Sequence, residues 1–289
     1  MAVHLRIPIA RRIPILVAAA LLLVPMSCAA SPAGSSIPAG SAESAGPPPE
    51  ALVTHIVADY PHDPTAFTQG LEFRGDVLYE STGRVGSTYV RSSTWPADTE
   101  IARADVTQPW FGEGITIADT DQGPVLWQLT WRDHTAIARD PATLDQLRTV
   151  TYDGEGWGIC ALGDRLVRSD GSDTLTFHDP VDFHVLGTVR VTDAGGSVDR
   201  LNELECTPEG VYANIWTTDR LVRIDPNTGR VTATIDASPL RRAVEQRPDS
   251  AGIDVLNGVA AIPGTDRFLL TGKLWPVAYE VELAAQSTS

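Results

Sequence analysis

An all-β fold, a five-bladed β-propeller whose N- and C-terminal strands close the ring, is what this sequence predicts, and three observations carry that prediction. The first is a repeated tripeptide: Gln69-Gly70-Leu71, Glu113-Gly114-Ile115, Trp157-Gly158-Ile159, Asn202-Glu203-Leu204 and Asn257-Gly258-Val259. Each copy has a polar or aromatic residue, then Gly (once Glu), then an aliphatic. The second is the period. The aliphatic residues are 44, 44, 45 and 55 positions apart, a spacing typical of propellers, solenoids and other arrays. The third is that each copy opens a series of short β-rich runs, four of them in the cleanest copy, which is the blade signature. A β-sandwich is the rival all-β fold, but it does not predict a fixed spacing.

The first 28 residues stand apart from the repeats. Arg6, Arg11 and Arg12 precede the apolar run Ile13–Val24, which is too short for a membrane span and is followed by small residues, so residues 1–28 read as an export signal. Ser27-Cys28 suits lipoprotein cleavage with lipidation at Cys28, although Pro25 stands where Leu is usual. Simple secretion is the alternative. Residues 29–50 are nearly all Ala, Ser, Pro and Gly and read as a flexible spacer before a domain at 51–289. With 43% apolar and 20% charged residues, the whole chain can bury a sizeable core. Its net charge is −15, and no basic cluster stands against that excess, which argues against a nucleic-acid partner. A soluble peptide or small molecule fits better. No long apolar stripe demands a second subunit, so a monomer is expected, with membrane contact only through a lipid anchor.

Taken in order, His55–Tyr60 is the first strand candidate. Gly70–Phe73 and Asp76–Glu80 form a hairpin around Arg74-Gly75. The second repeat offers Gly114–Ile117 and Val125–Trp131; the third offers Gly158–Ala161, Arg165–Arg168, Leu175–His178 and Val185–Val191. The fourth gives Leu204–Cys206, Val211–Trp216, Arg220–Ile224 and Val231–Ile235, with turns at Pro208-Glu209-Gly210 and Asp225–Gly229. A polar excursion from Pro239 to Ile253, with room for a short helix, accounts for the 55-residue step. Gly258–Ala261, Phe268–Thr271 and Ala278–Leu283 end the series, and the strand at 55–60 is expected to pair with that last hairpin. Cys160 and Cys206 stand at nearly equivalent points of adjacent repeats. In an exported chain they are a candidate disulfide, with two buried thiols as the alternative.

In a propeller the first strand of each blade lines the central channel, so Gln69, Glu113, Trp157, Asn202 and Asn257 converge on one axis. Four uncharged residues around a single carboxylate look like a site rather than a structural ring. A second layer follows 11 to 18 residues later and contains Glu80, Trp131, Asp170, Trp216, Lys273 and Trp275. Trp131, Trp157 and Trp216 together suggest an aromatic cage for an amine, an amide plane or a sugar. Lys273 is the only lysine against 21 arginines. A compact ammonium retained at this one position, between Gly272 and Leu274-Trp275, is not interchangeable with a guanidinium.

These segments in order resemble the glutamine cyclotransferase family of plant and bacterial type. The resemblance is carried by Phe67–Leu71, Glu80–Gly83, Phe111–Gly114, Leu129–Trp131, Glu155–Gly158, Ser169–Ser172, Leu201–Glu205, Asn214–Trp216, Asp254–Gly258 and Thr271–Pro276. It runs from about residue 55 to 283 and implies a five-bladed propeller. It also implies conversion of an N-terminal glutamine to pyroglutamate with release of ammonia, without a cofactor or catalytic metal. The histidines His55, His62, His134, His178 and His184 are scattered, without zinc-ligand spacing. Carried over by motif, the catalytic residues are Glu113, as proton shuttle, and Lys273, which either stabilises the oxyanion or holds the carboxylate ionised. The substrate-binding residues are Phe67, Gln69, Trp131, Trp157, Asn202 and Trp216. Glu80, Asp170, Asn257 and Trp275 form a second tier of the pocket. Two rivals remain open to sequence alone: a non-enzymatic propeller that binds peptide or glycan through the tryptophans, and a metal-dependent propeller lactonase or lyase.

Overall fold

The computed structural model describes residues 47–286. The expected export signal, Cys28 and most of the expected spacer lie outside the described residues. Within them the chain is all-β with one helix. β1 (Glu50–Pro61) leads into a first antiparallel unit of β2 (Thr68–Arg74), β3 (Val77–Thr82), β4 (Tyr89–Thr94) and β5 (Thr99–Asp105). The second unit is β6 (Gly112–Thr120), β7 (Gly123–Thr130), β8 (Thr135–Arg139) and β9 (Gln146–Thr151). The third is β10 (Ile159–Leu162), β11 (Arg165–Arg168), β12 (Thr174–His178) and β13 (Val185–Arg190), followed by a small ribbon of β14 (Thr192–Asp193) and β15 (Gly196–Ser197). The fourth is β16 (Leu201–Thr207), β17 (Gly210–Ile215), β18 (Arg220–Ile224) and β19 (Val231–Asp236). After the helix α1 (Ser238–Glu245) come β20 (Leu256–Ala261), β21 (Phe268–Gly272) and β22 (Val277–Ala285).

β1 does more than the sequence reading expects. It begins at Glu50, and its residues 52–61 pair antiparallel with β22, completing four strands with β20 and β21. Its residues 50–53 also pair in parallel with β19. The last two four-stranded units are thereby joined into one eight-stranded sheet.

Unexpected strands are the two outer members of the first two units, β4, β5, β8 and β9. Of these, β5 and β9 alternate exposed and half-buried residues along their length, so polar side chains dilute their apolar signal. The inner strands are nearly continuous buried runs; β6 buries its first seven residues. Helix α1 lies within the expected excursion and buries Leu240 and Val244, an i,i+4 pair on one face.

The apolar residues form layers between successive units. Tyr79 and Val90 pack with Ile115 and Leu126, then Trp127 and Leu129 with Ile159 and Leu166. Val167 and Leu175 meet Leu204 and Val211; Leu221 and Ile235 meet Val259 and Leu270. Leu71 and Leu78 of the first unit pack with Ala260, Leu269 and Ala278 of the last. The innermost strands touch in the same cyclic order, β2 with β6, β6 with β10, β10 with β16, β16 with β20, and β20 with β2. Cys160 of β10 and Cys206 of β16 form a disulfide, with a Cα–Cα distance of 5.4 Å.

The repeated glycines are explained by this approach of inner strands. A Cβ on Gly114 would lie 2.8 Å from the Trp157 carbonyl oxygen and 2.9 Å from Gly158 Cα. On Gly158 it would strike the Asn202 carbonyl oxygen and lie 2.7 Å from Glu203 Cα. These neighbours are backbone and cannot swing aside. Glu203, the one departure from Gly, reaches across instead: its carboxylate accepts the amide hydrogens of Leu71 (3.2 Å) and Val259 (2.9 Å). Burial pushes this carboxyl well above its ordinary range.

Gly158→Ala is expected to cost on the order of 2 kcal/mol through overpacking, lowering Tm by about 4–8 °C. Gly187→Ala, where a Cβ meets nothing within 4 Å, is the control and should leave Tm within about 2 °C of the parent. Thermal unfolding of the two variants checks the pair.

Candidate functional site

The ring residues owe their direction to bulges. The pairing of β2 with β3 shifts register between Thr68 and Gly70, that of β6 with β7 between Gly112 and Ile115. The same happens in β16 between Leu201 and Leu204, and in β20 between Leu256 and Val259. Gln69, Glu113, Asn202 and Asn257 each sit inside one of these irregularities. A bulge interrupts the period of two and re-aims a side chain. Trp157 comes just before β10, and its carbonyl accepts the Gly114 amide hydrogen at 2.8 Å.

Four of the five ring side chains are linked by hydrogen bonds. Asn202 Nδ2 donates to Asn257 Oδ1 (2.8 Å), and Asn257 Nδ2 donates to the Thr68 carbonyl (3.0 Å) and Gln69 Oε1 (3.4 Å). Gln69 Nε2 then donates to Glu113 Oε1 at 3.5 Å. Asn257 and Gln69 each present their acceptor to one neighbour and their donor to the next, Asn202 heads the series as a donor, and the series ends on the carboxylate.

Glu113, Gln69 and Asn202 open on a cavity of about 510 Å³. Its aromatic lining is Phe67, Phe111, Trp131, Trp157 and Trp216; Lys273, Arg84, Asp254, Val255 and Thr217 complete it. All eight residues expected from sequence as catalytic or substrate-binding thus line one cavity. The rings form two arcs. Phe67 meets Phe111 edge-on with centroids 6.1 Å apart, and Phe111 lies 5.6 Å from Trp131. Trp157 and Trp216 meet edge-on at 5.4 Å, and Trp216 remains 40% exposed, as a mouth residue would be.

Electrostatics separate the carboxylates. Burial pushes Glu113 well above the ordinary carboxyl range; Lys273 pulls it down and Glu155 pushes it further up. Burial in turn lowers Lys273, with Glu113 and Asp254 opposing. Lys273 Nζ lies 4.8 Å from the centre of the Phe67 ring, and among the described residues it has no carboxylate oxygen within 4.0 Å. Its segment is held by backbone contacts, Lys273 N–H to the Val255 carbonyl and Asp254 N–H to the Lys273 carbonyl.

The expected second tier is placed differently: none of Glu80, Asp170, Asn257 and Trp275 lines the cavity. Asn257 lies beneath it in the amide series. Asp170 accepts the Ser172 amide and hydroxyl hydrogens in a local turn. Trp275 is fully buried in apolar packing, its indole N–H bonded to the Asp254 carbonyl. Glu80 points into a separate buried cluster, where it accepts from Thr68 Oγ1 (2.8 Å), Arg91 Nε (3.0 Å) and His62 Nε2 (2.8 Å). Spacing along a strand cannot tell which face of a β-sheet meets which neighbour.

Phe111, Arg84, Asp254, Val255 and Thr217 are lining residues that the sequence reading does not single out, although Phe111 and the Asp254-Val255 pair stand in segments that carry the family resemblance. Glu155 is another omission. It does not line the cavity, yet its carboxylate accepts the indole N–H of both Trp131 (2.7 Å) and Trp157 (2.9 Å). Among the described residues one group, Asp179, Asp182 and His184 on the turn between β12 and β13, has metal-ligand spacing. The sequence reading takes the histidines as scattered. None of the three lines the cavity.

Comparison with known proteins shows the family. The family model described as glutamine cyclotransferase matches residues 22–283. A glutaminyl-peptide cyclotransferase of Arabidopsis thaliana is 37% identical over 238 residues, covering 80% of this chain and 72% of the plant protein. The crystal structure of Myxococcus xanthus glutaminyl cyclase is 40% identical and superposes with a TM-score of 0.73, covering 83% of this chain and all of that one.

His62 ties Glu80 to the segment that carries Lys273. Its Nδ1 faces the Trp275 carbonyl at 2.7 Å and its Nε2 faces Glu80, so both nitrogens meet acceptors and both must carry hydrogen. Burial opposes the imidazolium, but Glu80 and the carbonyl outweigh it and His62 is raised above 6.5. Burial likewise opposes the Glu80 carboxylate, yet His62 and Arg91 bring it down to about 2. The raised His62 contributes stability in full below 6.5 and loses it as pH rises through its folded value. The lowered Glu80 contributes in full above 4.5 and loses it as pH falls toward about 2. The Tm difference between wild type and His62→Gln should therefore be largest between pH 4.5 and 6.5 and shrink above it. Glu80→Gln should lower Tm by about 6–12 °C near neutrality, the effect of leaving the His62 imidazolium without its carboxylate and Arg91 with Asp98 alone. Thermal unfolding across pH reads both.

Proposed function

This chain belongs to the glutamine cyclotransferase family; it acts as a glutaminyl-peptide cyclotransferase, and we propose that Glu113 is the group that carries the proton. The observation that supports the assignment is a buried carboxylate, raised by its surroundings, at the floor of an aromatic cavity of about 510 Å³. That volume suits a glutamine side chain and the residue after it. The aromatic walls offer flat faces to an amide plane, and the Gln69 and Asn202 amides offer donors and acceptors to its polar edges.

In the reaction the substrate's neutral α-amine attacks its own side-chain amide carbon. The N–C bond of the five-membered ring forms, and the bond to the amide nitrogen breaks, releasing ammonia. Ionised Glu113 takes the proton shed by the attacking amine and returns it to the departing nitrogen, so the enzyme ends as it began. Because both reacting groups belong to one residue, positioning does much of the work. A carboxylate with a raised pKa is a better match to an amine and an amide nitrogen than an ordinary one. Lys273, an ammonium without a direct ion pair, is available to the oxygen that gains charge in the tetrahedral intermediate, and this favours the oxyanion role over holding Glu113 ionised.

The same reading takes the four-stranded units as five blades about one axis, with β1 completing the fifth; the cyclic contacts of the inner strands support it. It places the enzyme outside the cytoplasm, as a secreted or lipid-tethered monomer, and the disulfide between Cys160 and Cys206 is consistent with an oxidising compartment. Its substrates are peptides or proteins that begin with glutamine.

Glu113→Gln keeps the shape of the site and removes the proton carrier. Ammonia release from a Gln-initiated dipeptide should fall by about 100-fold or more, and wild-type activity should persist in the presence of EDTA. Activity that survives the substitution would place proton transfer elsewhere. Lys273→Arg keeps the charge but puts a planar, bulkier group where the side chain is buried; kcat/KM should fall at least about tenfold. An unchanged kcat/KM in that variant would remove Lys273 from the chemistry.

A further inference from the structure

Resting on the cyclotransferase reading, we propose that Glu155 is a positioning residue of this site. Its carboxylate ties the two arcs of aromatic wall together and sets a negative charge behind the two tryptophans that line the cavity of Glu113. One oxygen, Oε2, accepts both indole N–H groups, from Trp131 at 2.7 Å and Trp157 at 2.9 Å. The other, Oε1, accepts from Arg132 Nε at 2.8 Å, and the Arg132 guanidinium lies over the Trp131 ring at 3.8 Å. Trp131 is therefore held at its polar edge by the carboxylate and across its face by the cation that the carboxylate binds. Trp131 continues the arc through Phe111, and Trp157 continues the other through Trp216. Without Glu155 the two indole donors lose the acceptor that they share.

The backbone makes the tether short. The Gly156 amide hydrogen bonds to the Trp131 carbonyl at 3.0 Å, and Trp157 N–H bonds to the Ser169 carbonyl at 3.1 Å. Glu155 thus leaves the chain between the two rings that it holds. Desolvation opposes its ionisation, but hydrogen bonds from Trp157, Arg132 and Trp131 outweigh this and lower it, so it is charged at neutral pH. Among the described residues Lys273, Glu155 and Tyr152 act on Glu113 through their charge or titration, and Arg84 and Asp254 line the same cavity. Tyr152 is held neutral, pushed up to about 12 chiefly by burial. Lys273 and Glu155 therefore pull Glu113 in opposite directions, and the anion favours the protonated form.

Two substitutions separate the roles. Glu155→Gln keeps the length and removes the charge. The acidic limb of the kcat/KM profile, set by Glu113, should then move to lower pH, because a carboxyl freed of a neighbouring anion ionises more easily. Glu155→Asp keeps the charge but is one methylene shorter and cannot reach both indoles. Its KM for a Gln-initiated dipeptide should rise about tenfold, with the acidic limb nearer to that of wild type than to that of Glu155→Gln. Tryptophan emission of the substrate-free protein should shift in Glu155→Asp, with thermal unfolding confirming that both variants are folded. An acidic limb unmoved in Glu155→Gln overturns the electrostatic role; KM and emission unchanged in Glu155→Asp overturn the tether. Failure of the cyclotransferase reading is visible separately, as absence of ammonia release by the wild type, and the emission arm still decides the tether in that case.

Discussion

The close approach of the innermost strands is the constraint on which the rest of this structure depends. Gly70 packs against Gly114, Gly114 against Gly158, and Gly158 against Glu203, at distances where a methyl group would strike backbone. Strands this close leave no room for side chains between them. The first residue of each copy must go elsewhere, and in four of the five, Gln69, Glu113, Asn202 and Asn257, a bulge re-aims it. The site is therefore a by-product of packing. Where the repeat departs from glycine, Glu203 uses the same space to satisfy two amide donors on the facing strands.

Two buried carboxylates, Glu80 and Glu113, illustrate how one fold keeps structural and chemical acids apart. Glu80 receives hydrogen bonds from an imidazolium, a guanidinium and a hydroxyl, and its pKa falls to about 2. Such a group is held ionised and has no proton to exchange near neutrality. Glu113 has one long contact from Gln69 and a cation that does not reach it within 4.0 Å. Desolvation prevails there and lifts the carboxyl well above its ordinary range, so that it binds a proton more readily than Glu80 does. The difference lies in the neighbours, since both side chains are almost fully buried.

How much of this was legible depended on whether the information was periodic. Gln69, Glu113, Trp157, Asn202 and Asn257 can be found from spacing because equivalent positions in a repeat meet at equivalent places. The outer strands β5 and β9 could not: charged and polar residues alternate through Thr99–Asp105 and Gln146–Thr151, whereas β13, equally exposed, is marked by its Val185-Leu186 pair. Glu80 and Trp275 fell at plausible spacings yet face away from the cavity, since the direction of a side chain depends on register and on the neighbouring sheet. Glu155 carries no such signal for a related reason: it touches no cavity surface and meets the rings beside it.

By itself, then, the sequence determined the repeat, its all-β character, the ring positions and the family, because each is written in local spacing and residue type. Tertiary structure alone decided that β1 joins two units into one sheet, that His62 and Glu80 brace the Lys273 segment, and that Glu155 bridges two tryptophans. It also decided which buried carboxylate is held ionised and which is pushed well above its ordinary range. These depend on residues brought together from distant parts of the chain, and the free energy of a charge in a protein interior is set by those neighbours rather than by the residue that bears it.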